Sequence, residues 1–179
     1  MKLHQQQLNL SDGGTLKLVP VTEADNEFLL HIYASTREEE LAQAEWQPGQ
    51  KEAFLKWQSD MQRQQYEARF PDAEYKVIQV DSQRAGRVWV GENDNEIRLL
   101  DIALLPEFQN RGVGNLLLRQ LIDEAKRSQK PLRHMVFMLN SNAHRFYERL
   151  GFVMIEDLGA YRHMEFRSEP PAVAGGPAT

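Results

Sequence analysis

The spacing of apolar residues changes several times along the chain, and each change marks an element. Residues 15–21, TLKLVPV, alternate as a short strand that stops at Pro20, and Thr22 stands as the N-cap of a helix carrying Phe28, Leu29 and Ile32. Phe54, Leu55, Trp57, Met61 and Ala68 recur at helical spacing across residues 51–70, and Pro71 ends that helix because its ring disfavours helical geometry in the residue before it. Gln58, Gln62, Gln64 and Gln65 interrupt the apolar face, which predicts a solvated surface in preference to a polar binding wall. The period then falls to two. EYKVIQV (74–80), a turn at DSQR, AGRVWV (85–90), a turn at GENDN and EIRLLDIALL (96–105) predict three consecutive antiparallel strands. The third is the most apolar and is expected to be the most central.

Beyond that strand comes an elbow, within LLPEFQNRGVGNLLLRQ (104–120), followed by an amphipathic helix with Val113, Leu117, Leu118, Leu121, Ile122 and Ala125 on one face. PLRHMVFML (131–139) reads as another strand, and SNAHRFYERLG as a short helix capped by serine or asparagine and ended by Gly151. FVMIED and YRHMEF close the series as strands. SEPPAVAGGPAT has the composition of a flexible end, so the expectation is one domain over residues 1–167 and a flexible tail over 168–179. A chain of 179 residues with 41% hydrophobic content suffices for one sizeable core.

Composition removes whole classes of chemistry. With 0 cysteines there is no disulfide, thiolate zinc site or cysteine nucleophile, as fits a reducing compartment. A net charge of -5 argues against nonspecific nucleic-acid binding, whose phosphates demand a basic face. No apolar run approaches the roughly 20 residues of a membrane span, and the first residues lack the apolar core of a secretory signal, so a cytoplasmic protein without a membrane partner is expected. His134, His144 and His163 lack ligand spacing and predict no metal site, and His31 is read as a satisfied or exposed residue.

The elbow joins the exit of a central strand to the start of a helix. A helix start leaves N–H groups unpaired and carries roughly half a positive charge, so it receives anions, and Gly112 and Gly114 let an anion approach the main chain. A Walker loop would need Gly-Lys-Ser/Thr where Gly114, Asn115 and Leu116 stand, and a dinucleotide fingerprint would need a third glycine at Leu117.

Gln109, Asn110, Arg111, Gly112, Val113 and Gly114 complete the pattern Gln/Arg-x-x-Gly-x-Gly/Ala, and Asn140, Ala143, Phe146, Tyr147, Leu150, Gly151 and Phe152 complete a second block, Asn-x-x-Ala-x-x-Phe-Tyr followed by Leu-Gly-Phe. In both blocks, and in element order over residues 16–166, the chain resembles the GNAT superfamily of acetyl-coenzyme A-dependent N-acetyltransferases. The resemblance implies an α/β fold with a mixed, mostly antiparallel central sheet flanked by helices. It further implies that Ile102, Ala103 and Leu104 pair with the pantetheine arm of acetyl-coenzyme A, and that Gln109, Asn110, Arg111, Gly112, Val113, Gly114 and Asn115 hold the pyrophosphate. Arg111, with Arg145 or Arg149, would add charge-assisted bonds to the phosphates, Asn140 would contact the cofactor, the Leu104 N–H would stabilise the oxyanion, and Tyr147 would assist the departing thiolate.

The general base has no such match. Family spacing falls on Arg98 and Met135, leaving Glu96, Asp101 and Glu92 as nearby carboxylates, of which Glu96 is the choice. An α-amine near pKa ~8 costs ~1.4 kcal/mol to deprotonate at pH 7 and a lysine near ~10.4 costs over ~4, which favours a primary amine of lowered pKa. Tyr33, Arg37, Glu38, Glu40 and Trp46 are expected to shape the acceptor pocket. The function implied is direct acetyl transfer to an amine-bearing small molecule or peptide. A non-catalytic acyl-coenzyme A-binding or sensing module and a nucleotide-binding regulator are the alternatives, and a homodimer is left open.

Overall fold

The computed structural model describes residues 7–42 and 44–167. Eight strands form one sheet: β1 (Leu8–Asn9), β2 (Thr15–Pro20), β3 (Glu74–Val80), β4 (Gln83–Glu92), β5 (Ile97–Leu104), β6 (Leu132–Phe137), β7 (Val153–Asp157) and β8 (Tyr161–Phe166). Their spatial order is β1-β2-β3-β4-β5-β6-β8-β7. The helices are α1 (Asn26–Ser35), α2 (Glu38–Leu41), α3 (Gln50–Arg69), α4 (Val113–Ser128) and α5 (Ser141–Arg149). This is the mixed, mostly antiparallel α/β sheet flanked by helices that the resemblance implied. Among the described residues no helix is long and apolar enough to cross a membrane. The tail expected over residues 168–179 lies outside the described residues.

Local chemistry sets the topology. Asp81 and Ser82 both take positive φ, 50° and 67°, so β3 and β4 join through a two-residue turn tighter than the DSQR turn expected, and β4 runs longer than expected, over Gln83–Glu92. The connection from β5 to β6 passes through α4 and therefore returns the chain parallel, whereas every other neighbouring pair is antiparallel. All six residues expected on the apolar face of α4 are buried, and they seal one side of the sheet with Leu132, Val136, Tyr147 and Phe152. The other side of β4 and β5 packs under α1 and α3 through Tyr33, Leu55, Phe70, Trp89 and Leu100.

Three expectations change. Trp57 and Met61 are 60% and 48% exposed and only Leu55 of α3 is fully buried, because a helix at the rim of a sheet covers it with a narrow stripe. Residues 35–40, STREEE, whose sequence reads as a capped, solvated helix start, do not begin a helix as a unit: Ser35 and Thr36 close α1 by donating their hydroxyls to the carbonyls of Ile32 and Tyr33, and α2 starts afterwards. Thr22 and Asp25 form the expected cap, but around a 3-10 turn, Glu23–Asp25, that precedes α1.

Candidate active site

The parallel ladder between β5 and β6 consists of Ile97–Leu132, Arg98–Arg133 and Leu99–His134, and ends there. Immediately after it, Leu100 is an extra residue in β5 opposite the Trp89–Val90 step of β4, a bulge that bends the strand. From that point β6 stays with β8 and β5 stays with β4, so a gap opens between them.

Alternation of the antiparallel ladder decides which groups face the gap. Leu105 donates its N–H to Ala85 at 2.9 Å, which makes that pair hydrogen-bonded. Bonded and non-bonded pairs alternate, so Leu104 opposite Gly86 and Ile102 opposite Val88 direct their N–H and C=O groups away from β4, into the gap. The Ala103 carbonyl points the other way, to within 2.2 Å of where a Cβ on Gly86 would stand. Of the three residues the sequence proposed, Ile102 and Leu104 therefore present their main chain and Ala103 does not. Gln109 reaches back to donate Nε2–H to the Leu104 carbonyl at 2.9 Å, leaving the Leu104 N–H to the gap.

The elbow delivers a helix start beside those groups. Pro106–Phe108 form one 3-10 turn, Asn110 and Gly112 take φ of 60° and 82°, and α4 begins at Val113. The first bond inside the helix runs from the Leu116 N–H to the Gly112 carbonyl at 3.0 Å, so the N–H groups of Val113, Gly114 and Asn115 have no partner within the helix. Arg111 does not extend toward a phosphate: its Nε lies 2.8 Å from Asp12 and its Nη2 3.4 Å from Asp81. Asp12 is pulled below the usual carboxylate range by its bonds to Arg111 and the Gly14 N–H, and Asp81 by its bonds to the Thr15 N–H and Arg111. Arg111 thus ties the elbow to the β1–β2 and β3–β4 turns. Arg145 is engaged with Asn142 at 2.6 Å, and the Asn140 side chain caps α5 by accepting from the Ala143 N–H at 3.0 Å.

Tyr147 is 3% exposed, between His134, Phe146 and Phe152. Burial, with a contribution from the Asp101 charge, pushes its phenol above the ordinary value, so it stays protonated. His134, which the sequence offered only as a discarded metal ligand, stands on the last rung of the β5–β6 ladder. Its Nδ1 lies 2.8 Å from the Leu99 carbonyl, which can only accept, so Nδ1 carries the hydrogen. Burial lowers its pKa to about 4 and keeps it neutral. Unfolding releases a histidine of ordinary pKa near 6.5, so the stability this residue contributes is complete above about pH 6.5 and is lost as pH falls toward about 4, a span worth roughly 3 kcal/mol. Urea unfolding at pH 7, 5 and 4 is expected to show that slope in the native protein and its absence in His134→Phe.

The model of the Acetyltransferase (GNAT) family matches residues 28–152. The chain belongs to this family. Its members transfer an acyl group from acetyl-coenzyme A, and the chain is an acyltransferase of that kind. The uncharacterized N-acetyltransferase CgeE of Bacillus subtilis is 24% identical over 78 residues, which span 44% of this chain and 30% of that relative. The fold is similar to that of the PaiA N-acetyltransferase of Thermoplasma acidophilum, solved in complex with coenzyme A, at a TM-score of 0.65 and 19% identity over 85% of this chain and 98% of the other. It is also similar to an acetyltransferase from Thermus thermophilus, at a TM-score of 0.61 and 18% identity over 85% of this chain and 96% of the other.

In this GNAT chain Glu96 is not brought together with Leu104 and Tyr147. It precedes the first residue of β5, eight residues before Leu104, which places it roughly 25 Å along the strand. It is 5% exposed and accepts from Arg98 at 2.9 Å and Arg133 at 3.0 Å. The structure thus places Glu96, the base chosen from the sequence, at the opposite end of β5 from Leu104 with its carboxylate engaged by Arg98 and Arg133. Glu92 is bound to Lys130 at 2.8 Å near the same end. Asp101 lies nearer: it stands in β5 just after the bulge, half-buried, with Arg87 Nε 2.7 Å from its Oδ2.

Proposed function

We propose that this protein is an N-acetyltransferase that moves the acetyl group of acetyl-coenzyme A to a primary amine by direct attack, with both substrates bound together. One observation carries the reading: the main-chain groups of Ile102 and Leu104 open into a gap beside the unpaired N–H groups of Val113, Gly114 and Asn115. The pantetheine arm offers two amides, which match the N–H and C=O of Ile102, while a diphosphate matches the start of α4 and its macrodipole.

Bound there, the thioester supplies an activated acetyl carbon. The amine nitrogen attacks it, a C–N bond forms as the C–S bond breaks, the ammonium proton leaves to water and the thiolate is protonated. The Leu104 N–H, its own carbonyl already satisfied by Gln109, faces the carbonyl oxygen as negative charge develops, a contribution of ~3 kcal/mol for one preorganised donor. The Tyr147 phenol is a weaker acid than a thiol, by at least ~2 kcal/mol, so it supports the thiolate by donating a hydrogen bond without giving up its proton. Tyr147→Phe is expected to lower kcat roughly 10- to 100-fold, the worth of a hydrogen bond to a charged group, while leaving coenzyme A affinity within about threefold. Steady-state kinetics paired with calorimetric titration check both halves.

Thiol release from acetyl-coenzyme A in the presence of a panel of amines tests the activity. Turnover supports transfer. Coenzyme A binding without turnover of any amine would instead support a non-catalytic acyl-coenzyme A-binding module, and competition by ATP as strong as by coenzyme A would support a nucleotide-binding regulator.

A further inference from the structure

His134 is a buried polar side chain that the transfer chemistry leaves unused. It stands opposite Leu99 on the last rung of the β5–β6 ladder, and its neighbours along β6 on the same side of the sheet, Leu132 and Val136, are buried and apolar. An apolar side chain would fill that place without the loss of stability in acid that a buried imidazole brings. Packing alone therefore gives no reason for a histidine here.

The ring makes two contacts that an aliphatic side chain could not make together. Its Nδ1–H donates to the Leu99 carbonyl at 2.8 Å, on the strand that bulges at Leu100 and runs on to Ile102 and Leu104. Its face packs against Tyr147, with the two ring centres 4.9 Å apart and the planes inclined at 46°. The other aromatic neighbours of the phenol, Phe146 and Phe152, each lie 5.3 Å away. Phe146 belongs to α5 itself and Phe152 follows directly after it, so both travel with Tyr147, whereas His134 comes from the sheet. Of the three, His134 is the one hydrogen-bonded to β5. That bond also fixes the plane of the imidazole, because rotation about χ2 would carry Nδ1 away from the carbonyl.

We propose that His134 is a positioning residue that holds the Tyr147 phenol in register with the main chain of β5, so that the donor to the departing thiolate and the Leu104 N–H address one thioester. This rests on the transfer reading above and adds to it a residue that touches neither substrate. No proton passes through His134; it acts through Tyr147. Register of this kind matters because a displacement of about 1 Å can cost on the order of 100-fold in rate.

The test is a double-mutant cycle on the full chain, read by thiol release. His134→Phe keeps a ring against Tyr147 and removes the donor to Leu99. It is expected to lower kcat about tenfold while coenzyme A affinity stays within about threefold, since Ile102 and the start of α4 are untouched. In the Tyr147→Phe background, where no hydroxyl is left to place, the same substitution is expected to change kcat by less than about twofold. A merely structural role would lower kcat by the same factor in both backgrounds. That result, or a native kcat in His134→Phe, overturns this proposal and leaves transfer standing. Nitrogen-15 NMR of the imidazoles in the native protein, with His134 assigned by the signals that His134→Phe removes, gives a second check: at pH 7 the hydrogen is expected on Nδ1, and a ring carrying it on Nε2 alone overturns the proposal. Coenzyme A binding with no turnover of any amine defeats the transfer reading and this one with it.

Discussion

Gly112→Val is expected to lower coenzyme A affinity about 100-fold, close to 2.7 kcal/mol, in a calorimetric titration. Space is not the obstacle, since the nearest atom to an added Cβ at Gly112 is Ser11 Oγ at 3.7 Å. The obstacle is the backbone. At φ of 82° an L residue is strained by roughly 1–2 kcal/mol, and a β-branched side chain by more, so the elbow relaxes toward negative φ and turns the Val113, Gly114 and Asn115 N–H groups away from a shared anion. The fold is expected to survive, because Leu117, Leu118, Leu121, Ile122 and Ala125, all beyond the first turn, are buried and hold α4 against the sheet. Gly112→Ala should fall between, with a loss of about tenfold, since it carries the strain without the branch. Retained affinity in the valine variant would mean that the elbow does not hold the diphosphate.

Leu104→Pro is expected to lower kcat by roughly 100- to 1000-fold, the range seen when one preorganised donor is removed. Proline deletes an N–H, and in most strand positions that also deletes a ladder bond. At Leu104 the N–H faces the gap, so the β4–β5 ladder, including the Leu105 to Ala85 bond, keeps its donors. The substitution is therefore expected to separate catalysis from binding: coenzyme A affinity should fall by less than about tenfold, because Ile102 and the start of α4 are untouched. Single-turnover kinetics with saturating acetyl-coenzyme A measure the effect free of binding. A variant that binds coenzyme A normally and turns over at the native rate would remove Leu104 from the chemistry.

Much of the scaffold is legible in the chain because it depends on short-range patterns. The period-two runs place β3, β4, β5 and β8 closely, and the six buried positions of α4 follow from helical spacing alone. The cap of α5 is Asn140, the residue just before the stretch SNAHRFYERLG that the sequence reads as capped by serine or asparagine. What does not show is everything set by distant pairing. The gap exists because Leu100 bulges opposite β4 and because the β5–β6 ladder stops where the His134 ring occupies the Leu99 carbonyl; neither event has a local signature in EIRLLDIALL or LRHMVF. Arg111 looks like a phosphate ligand in its motif, yet its partners are Asp12 and Asp81, 99 and 30 residues away. Glu96 stands out by its nearness along the strand, whereas cross-strand Arg133 and neighbouring Arg98 decide its chemistry.

The central claim is that the main chain of β5 past its bulge, together with the first turn of α4, receives coenzyme A. Amide hydrogen exchange in the presence and absence of coenzyme A tests it most directly, because it reads the donors themselves. The account predicts slowed exchange at Ile102, Leu104, Val113, Gly114 and Asn115, with Ala103 and Leu105, already bonded to β4, little changed. Exchange at Leu104 and at Val113, Gly114 and Asn115 that stays the same when coenzyme A is saturating, with protection appearing elsewhere, would contradict it.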